Sequence, residues 1–315
     1  MSSLDKTVDV AVAVIINDCG EVLVSFRHAD LHQGNRWEFP GGKIEQDESV
    51  EAALYREVQE ELGLHILRSY PFKTIRYDYP DKSVRLHVRK VTAWNGVAVG
   101  LEGQKIAWQR IADLDSRKFP AANAPIVRAL QLPAYVAITP QLTTVAELAV
   151  LITDILNQGV SCIQLRQPQL KRSDYLDWFS MASPICTSRK AILMFNGDPQ
   201  DFANSTALAF HVNSTRLRTL QARPVPLTAL FSTSCHNLEE LSMAAKLDAD
   251  FAMLSPVRTT PKYPAGSELG WPGFSDLVQQ ANLPVYALGG LEFADLKIAR
   301  QSGASGISGI SMFLT

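Results

Sequence analysis

The sequence predicts an α/β chain of two domains in tandem, the second a (β/α)8 TIM-type barrel. Three observations lead there. With 315 residues the chain is long for one domain and comfortable for two. The stretch from Ser49 to Leu62 has no Gly or Pro, is rich in Ala, Leu, Glu and Gln, and reads as one helix behind β-branched runs. From Tyr135 onward, eight short apolar runs alternate with helix-sized gaps. Leu132-Pro133-Ala134 reads as a short linker, which gives domains over 1–131 and 134–315.

Composition narrows the class. A hydrophobic fraction of 46% and a charged fraction of 20% describe an ordinary globular protein. A net charge of −2 gives no electrostatic case for a nucleic-acid partner, while leaving room for local basic pockets that take phosphates. Cys19, Cys162, Cys186 and Cys235 are scattered with no C-x-x-C pair, which argues against a disulfide framework or zinc site and suits a reducing, cytoplasmic setting. Met1 to Asp9 is polar, no run reaches membrane-spanning length, and no membrane partner is expected.

In chain order, Val8 to Ile16 (VDVAVAVII) reads as a strand, NDCGE as a turn and Val22 to Phe26 as a second strand. A loop, RHADLHQGNRWEFPGGK, then leads into Gly42–Leu64, GKIEQDESVEAALYREVQEELGL, with the pattern G-x5-E-x7-R-E-V-x-E-E-x-G-L. Seven specified residues coincide by chance on the order of once in 10⁸ starts, so accident does not explain it. Asp47 and Ser49 are candidate caps of the helix, and Gly63 is its natural stop. On the helix Glu57, Glu60 and Glu61 stand at i, i+3 and i+4, on one face. Like charges at that spacing repel, so a cation belongs among them, and hard oxygen donors suit Mg2+, with Mn2+ an alternative. A merely solvated acidic face would leave Gly42, Glu48 and Arg56 unexplained.

This pattern is the Nudix box, and the N-terminal part resembles the Nudix hydrolases. Arg27, His32, Glu38-Phe39-Pro40-Gly41-Gly42-Lys43, YDYPDK and FPAANAP narrow the resemblance to the MutT-type 8-oxo-dGTP diphosphatases over residues 5–130. The resemblance implies an α/β/α sandwich around a mixed sheet. It also implies metal-assisted hydrolysis of 8-oxo-dGTP to 8-oxo-dGMP and pyrophosphate, which sanitises the nucleotide pool ahead of replication. Arg27, His32, Glu38, Phe39, Pro40, Gly41, Tyr79 and Asn123 would hold the nucleotide. Gly41 (by its carbonyl), Glu57, Glu60, Glu61 and Glu102 would hold metal, with Arg56 beside the catalytic glutamates.

Asn123 also has a chemical argument. Oxidation at C8 turns guanine N7 from an acceptor into an N–H donor beside the O6 acceptor. An Asn amide carries one acceptor and two donor hydrogens and meets that edge with two bonds. Against unmodified guanine its carbonyl would face a lone pair, a mismatch of a few kcal/mol. Asn123 also reads as a loop or cap residue between Pro120 and Pro125.

In the second half the runs are YVAIT, VSCIQLR, KAILMF, ALAFHV, PLTALFSTS, ADFAMLS, PVYALGG and ASGISGI, with a doubly wound open sheet as the competing architecture. Gln164-Leu165-Arg166, Asn196, His211, Ser232–Glu240, Leu254–Lys262, Leu288–Gly290 and Gly306–Ser311 resemble the thiamin-phosphate synthase/TenI family. The resemblance implies a ligand site including Gln164, Arg166, Asn196 and His236. Phosphate would be gripped by Gly289 and Gly290 and by amides near Ile310 and Ser311, and two tight turns explain those glycines as well. Three departures stand out. Pro168 replaces an expected lysine, Gly197 follows Asn196 where the family has Asp, and Asn213-Ser214-Thr215-Arg216 replaces a Gly-Gln-x-Asp-like run. The acidic ligands for a magnesium diphosphate are thus missing. The barrel is expected to bind a phosphorylated thiazole- or thiamin-type ligand, or to act as a tautomerase-like enzyme, rather than to make thiamin phosphate. A coupled alternative has the first domain hydrolyse a thiamin-related diphosphate for the second.

Overall fold

A computed structural model describes residues 7–30, 33–260 and 266–314. The chain divides into two compact units between Leu132 and Pro133.

The first unit has strands β1 (Val8–Ile15), β2 (Glu21–Phe26), β3 (Trp37–Glu38) and β4 (Gly41–Lys43), then helix α1 (Val50–Leu62). Strands β5 (His65–Asp78), β6 (Ser83–Asn95) and β7 (Ile106–Arg110) follow, and helix α2 (Ala124–Leu130) closes it. One sheet runs β4-β1-β6-β5, with β1 and β6 parallel and the other pairs antiparallel; a second, antiparallel sheet runs β3-β2-β7. The period-2 alternation of β1 explains the layering. Ala11, Ala13 and Ile15 pack in one cluster with Ala53, Leu54, Val58 and Leu62 of α1, whereas Val12 and Val14 pack in another with Ile126 and Val127 of α2. The mixed sheet therefore lies between two helices.

Of the two candidate caps of α1, Ser49 is the one used, accepting from Ala52 N at 3.1 Å, and Gly63 ends the helix in the left-handed region at φ 66°. The last helix lies just ahead of the linker. It begins at Ala124, because Pro125 is tolerated in a first turn, and stops at Leu130.

The second unit is a closed parallel barrel of β8 (Tyr135–Ile138), β9 (Cys162–Gln164), β10 (Ile192–Phe195), β11 (Ala209–Val212), β12 (Leu230–Cys235), β13 (Phe251–Leu254), β14 (Val285–Leu288) and β15 (Gly306–Gly309). Its closure by β15–β8 pairing, Ile307 opposite Tyr135, excludes the open sheet. Between them lie α3 (Val145–Asn157), α4 (Arg172–Ser188), α5 (Pro199–Ala203), α6 (Ser214–Leu217), α7 (Leu238–Lys246), α8 (Gly270–Val278) and α9 (Leu296–Gln301). Thr144 and Glu147 form a capping box on α3, and Asn237 caps α7. On neighbouring strands Phe195, Phe210 and Phe231 stack at 6.3 and 6.4 Å within the apolar shell shared with the helices. The next residues along, His211 and Ser232, are polar, buried and bonded to each other. No helix among the described residues is long and apolar enough to cross a membrane.

Candidate functional site

The acidic face of α1 carries its own cation. Arg56 grips Glu48 with two bonds, Nε to Oε1 at 3.0 Å and Nη2 to Oε2 at 2.8 Å, and its Nη1 reaches Glu57 at 2.8 Å and Glu60 at 3.3 Å. Nη2 also donates to the carbonyl of Lys43, which ties the helix to β4. Glu48, Arg56, Glu57 and Glu60 therefore form one network, and Glu48 holds the arginine.

The glycines before the helix are required by what stands against them. A Cβ on Gly42 would lie 2.2 Å from the Glu57 carboxyl carbon. Gly41, at φ 138°, would drive a Cβ to 2.1 Å from the Ala11 carbonyl oxygen. The Gly41 N–H instead donates to Glu61 at 3.2 Å, and the Pro40 carbonyl accepts from Ala13 at 2.8 Å.

Glu61 is the most perturbed carboxyl of this group. Burial first, and then the charges of Glu38, Glu57 and Glu102, push it up to about 8, against the lowering bond from Gly41. Glu102 sits on a loop fastened to the end of α1. Leu101 N and the Gln104 side chain both donate to the Glu61 carbonyl, at 2.9 and 3.0 Å. Gln104, which has no signature of its own, is thus a supporting residue that sequence reasoning missed.

A divalent cation fits this donor set, because a buried carboxyl crowded by three others is relieved by added positive charge. Among the described residues no three of these carboxylates yet converge on a point: Arg56 engages Glu57 and Glu60, and Glu61 is turned to Gly41.

Beside this face, Arg27 pairs with Glu38, whose pKa is raised by burial against the pull of Arg27, and Arg27 Nε is buried with no partner among the described residues. Phe39 is buried, stacks on Phe119 at 5.3 Å, and points its N–H toward Asn123 Oδ1 at 3.5 Å. Asn123 is 9% exposed and occupies the N-cap position of α2, with no side-chain bond to that helix. Tyr79 accepts from Ala122 N at 3.2 Å, one residue away. The structure thus brings Arg27, Glu38, Phe39, Tyr79 and Asn123 into linked contacts. His32 lies outside the described residues.

These features define a Nudix hydrolase unit followed by a closed parallel barrel, and the comparisons agree. The chain belongs to both families: residues 11–129 match the NUDIX domain and residues 134–313 match thiamine monophosphate synthase. The 8-oxo-dGTP diphosphatase of Escherichia coli K12 is 38% identical over 126 residues, covering 40% of this chain and 98% of that protein. A CTP pyrophosphohydrolase of the same organism is 32% identical over 121 residues, 38% of this chain and 87% of its own. A protein provisionally named thiamine-phosphate synthase 2, from Aquifex aeolicus, is 31% identical over 186 residues, 59% of this chain and all of its own.

In the barrel the predicted residues separate into two places. Asn196 lines a cavity of about 620 Å³ with His211, Arg172, Asp198, Asp201 and Arg216. Its charges are paired off: Arg172 with Asp201, and Arg216 with the Gly197 carbonyl and, at 3.5 Å, with Asp198. His211 is bonded by Ser232 at 2.8 Å and Ser234 at 2.9 Å, and burial, aided by Arg166, lowers its pKa to about 3. Gln164 is buried with its side-chain carbonyl oxygen unpartnered among the described residues, and the backbone N–H of Arg166 donates to Thr139.

The other place is the end of β13 and β14. The ring of His236 bonds the Ser255 carbonyl at 2.8 Å. Gly289 and Gly290 pack on Pro256 and on Arg258–Thr259, where a Cβ on Gly290 would come within 2.7 Å of the Thr259 oxygen. Ile310 and Ser311 open a short helical turn, Ser311–Phe313.

Proposed function

We propose that the N-terminal unit hydrolyses 8-oxo-dGTP to 8-oxo-dGMP and pyrophosphate, and that Mg2+ serves as its metal. One observation carries the choice of base: the Asn123 amide is not spent on capping α2 and stands beside Phe39, the residue that follows Glu38 in the chain. An amide placed this way matches the N7–H donor and O6 acceptor of the oxidised base with two bonds. The relative that hydrolyses CTP makes base identity a question for this pocket rather than for the Nudix box. The amide argument favours the purine.

In this reading Glu57, Glu60, Glu61 and Glu102, with the Gly41 carbonyl, hold the metal, which when bound neutralises triphosphate charge. Arg56 keeps Glu57 and Glu60 in register through Glu48. Arg27 Nε, without a partner among the described residues, is a donor available to the nucleotide; Tyr79 belongs to the base side, and His32, outside the described residues, is a further nucleotide contact in this reading. Glu61, which binds a proton readily in this setting, gives it up as the metal enters.

For the barrel we propose a phosphorylated thiazole- or thiamin-type ligand without thiamin-phosphate synthesis. The positions where diphosphate metal ligands are expected, Gly197 and Arg216, are here bonded to each other. A fixed guanidinium there opposes a second cation. A screen of 8-oxo-dGTP, dGTP, CTP and thiamin diphosphate on the full chain, with product analysis, tests the first reading: 8-oxo-dGMP and pyrophosphate are expected, and preferential turnover of thiamin diphosphate would replace it with the coupled alternative.

A further inference from the structure

We infer that Arg36, which no motif includes, is a positioning residue that sets base selectivity in the N-terminal unit. The inference rests on the reading of Asn123 as the base contact. Arg36 ends the loop that follows β2, and that loop closes on itself: Arg27 N donates to the Arg36 carbonyl at 2.9 Å, and Asn35 N donates to the Arg27 carbonyl at 3.3 Å. Below the closure, Phe26 and Trp37 meet edge to face at 5.2 Å. The base of the loop is therefore closed by two main-chain bonds and one ring contact, with Arg27 and Glu38 at its two ends.

Across from it lies the segment leading to Asn123. Asp115 caps a short turn at Ser116–Lys118 through Arg117 N at 3.1 Å, Phe119 follows, and Asn123 N donates to the Pro120 carbonyl at 2.8 Å. Arg36 Nη1 crosses the gap and donates to two main-chain carbonyls of this segment, Arg117 at 2.9 Å and Phe119 at 3.2 Å. The gap is not filled by packing. A cavity of about 440 Å³ lies there, lined by Phe26, Gly34, Asn35, Arg36, Trp37, Arg117 and Lys118.

The two sides also meet at the Phe39–Phe119 stack and at the Phe39 N–H, which stands 3.5 Å from Asn123 Oδ1; both are looser constraints than the shorter, directional bonds of Arg36 to the two carbonyls. Arg36 thereby fixes the separation between the strand bearing Glu38 and Phe39 and the turn bearing Asn123. A bidentate reading of a base edge tolerates only a few tenths of an ångström in donor–acceptor distance. The bonds of Arg36 go to the main chain of the Asn123 segment and none goes to the acidic face among the described residues, so its effect is assigned to the placement of Asn123.

The test is steady-state kinetics of the full chain with Mg2+ for wild type, Arg36→Ala and Arg36→Lys, on 8-oxo-dGTP and dGTP, together with hydrogen exchange of residues 116–123. Arg36→Ala should raise KM for 8-oxo-dGTP and cut its preference over dGTP by about tenfold, in line with a bidentate base contact losing its geometry. The kcat should stay within about threefold, because the acidic face is untouched. Exchange over 116–123 should quicken, and Arg36→Lys, which still reaches a carbonyl, should recover part of the preference. An unchanged KM with unchanged exchange overturns the inference, as does a fall in kcat that matches any fall in preference. If the wild type does not prefer 8-oxo-dGTP, the base reading falls instead. Arg36 is then judged by the KM shift for whichever nucleotide is turned over and by the exchange of 116–123.

Discussion

The two units treat glycine and charge in opposite ways. Before α1, Gly42 is demanded by the carboxylate of Glu57: a methyl group there would displace that side chain, not the backbone. In the barrel, Gly289 and Gly290 are demanded by Pro256 and by Arg258–Thr259, a matter of loop packing. At the end of α1, burial and the charges of three carboxylates, Glu38, Glu57 and Glu102, raise the pKa of Glu61, leaving an excess of negative charge. In the barrel cavity each arginine has a carboxylate partner and the charges close on themselves. An uncompensated cluster is poised for a ligand of opposite charge, whereas a compensated one requires the ligand to displace a partner.

The comparison breaks most visibly at Glu61. Glu61→Gln removes one charge from the crowded group while keeping its shape, and is expected to lower kcat by two or more decades with Mg2+. Near wild-type turnover would mean that the excess charge is not functional. Next in size is Asn123→Ala, which should erode the preference for 8-oxo-dGTP over dGTP by roughly one to two decades, the worth of a bidentate base contact, with the metal requirement unchanged. Lost stability with intact preference would return Asn123 to a structural role.

A smaller effect follows from protonation. In the metal-free protein the folded state keeps a proton on Glu61 that the unfolded chain loses above about 4.5. Between about 4.5 and about 8 the unfolded state thus binds fewer protons, and stability should fall as pH rises through that window. Mg2+ titrated in near neutral pH should release up to one proton, read from the heat in buffers of different ionisation enthalpy. Glu61→Gln should flatten the stability slope and release none. A slope of the opposite sign would contradict the burial of this group.

The smallest effect expected is none at all. The full chain should form no thiamin phosphate from the pyrimidine diphosphate and thiazole phosphate, while calorimetry registers binding of thiazole phosphate. Measurable synthesis would show that Arg216 yields its place to a metal.

The sequence shows α1 and its termini plainly, because caps, period and glycine stop agree there, and the barrel repeats were readable for the same reason. The long hairpin of β5 and β6 was not read. Its strands mix charged with apolar residues and carry irregular register between Ile66 and Lys73, so the alternation is blurred. Of the site, Glu57, Glu60 and Glu61 were legible from helical spacing, but the two-bond grip of Arg56 on Glu48 was not, since it depends on a loop turning back onto the helix. Arg36 left no trace, because its partners are main-chain carbonyls 81 and 83 residues away, where side-chain identity carries no signal. The role of Gly289–Gly290 was equally hidden, because close approach to a ligand and close approach to a neighbouring loop call for the same residue.

The most direct test of the account is the ratio of kcat/KM for 8-oxo-dGTP to that for dGTP, measured on the full chain with Mg2+ while pyrophosphate is identified as product. The account predicts a ratio of at least about ten, set by a base edge that offers a donor beside an acceptor. A ratio near one, or release of inorganic phosphate in place of pyrophosphate, would contradict it.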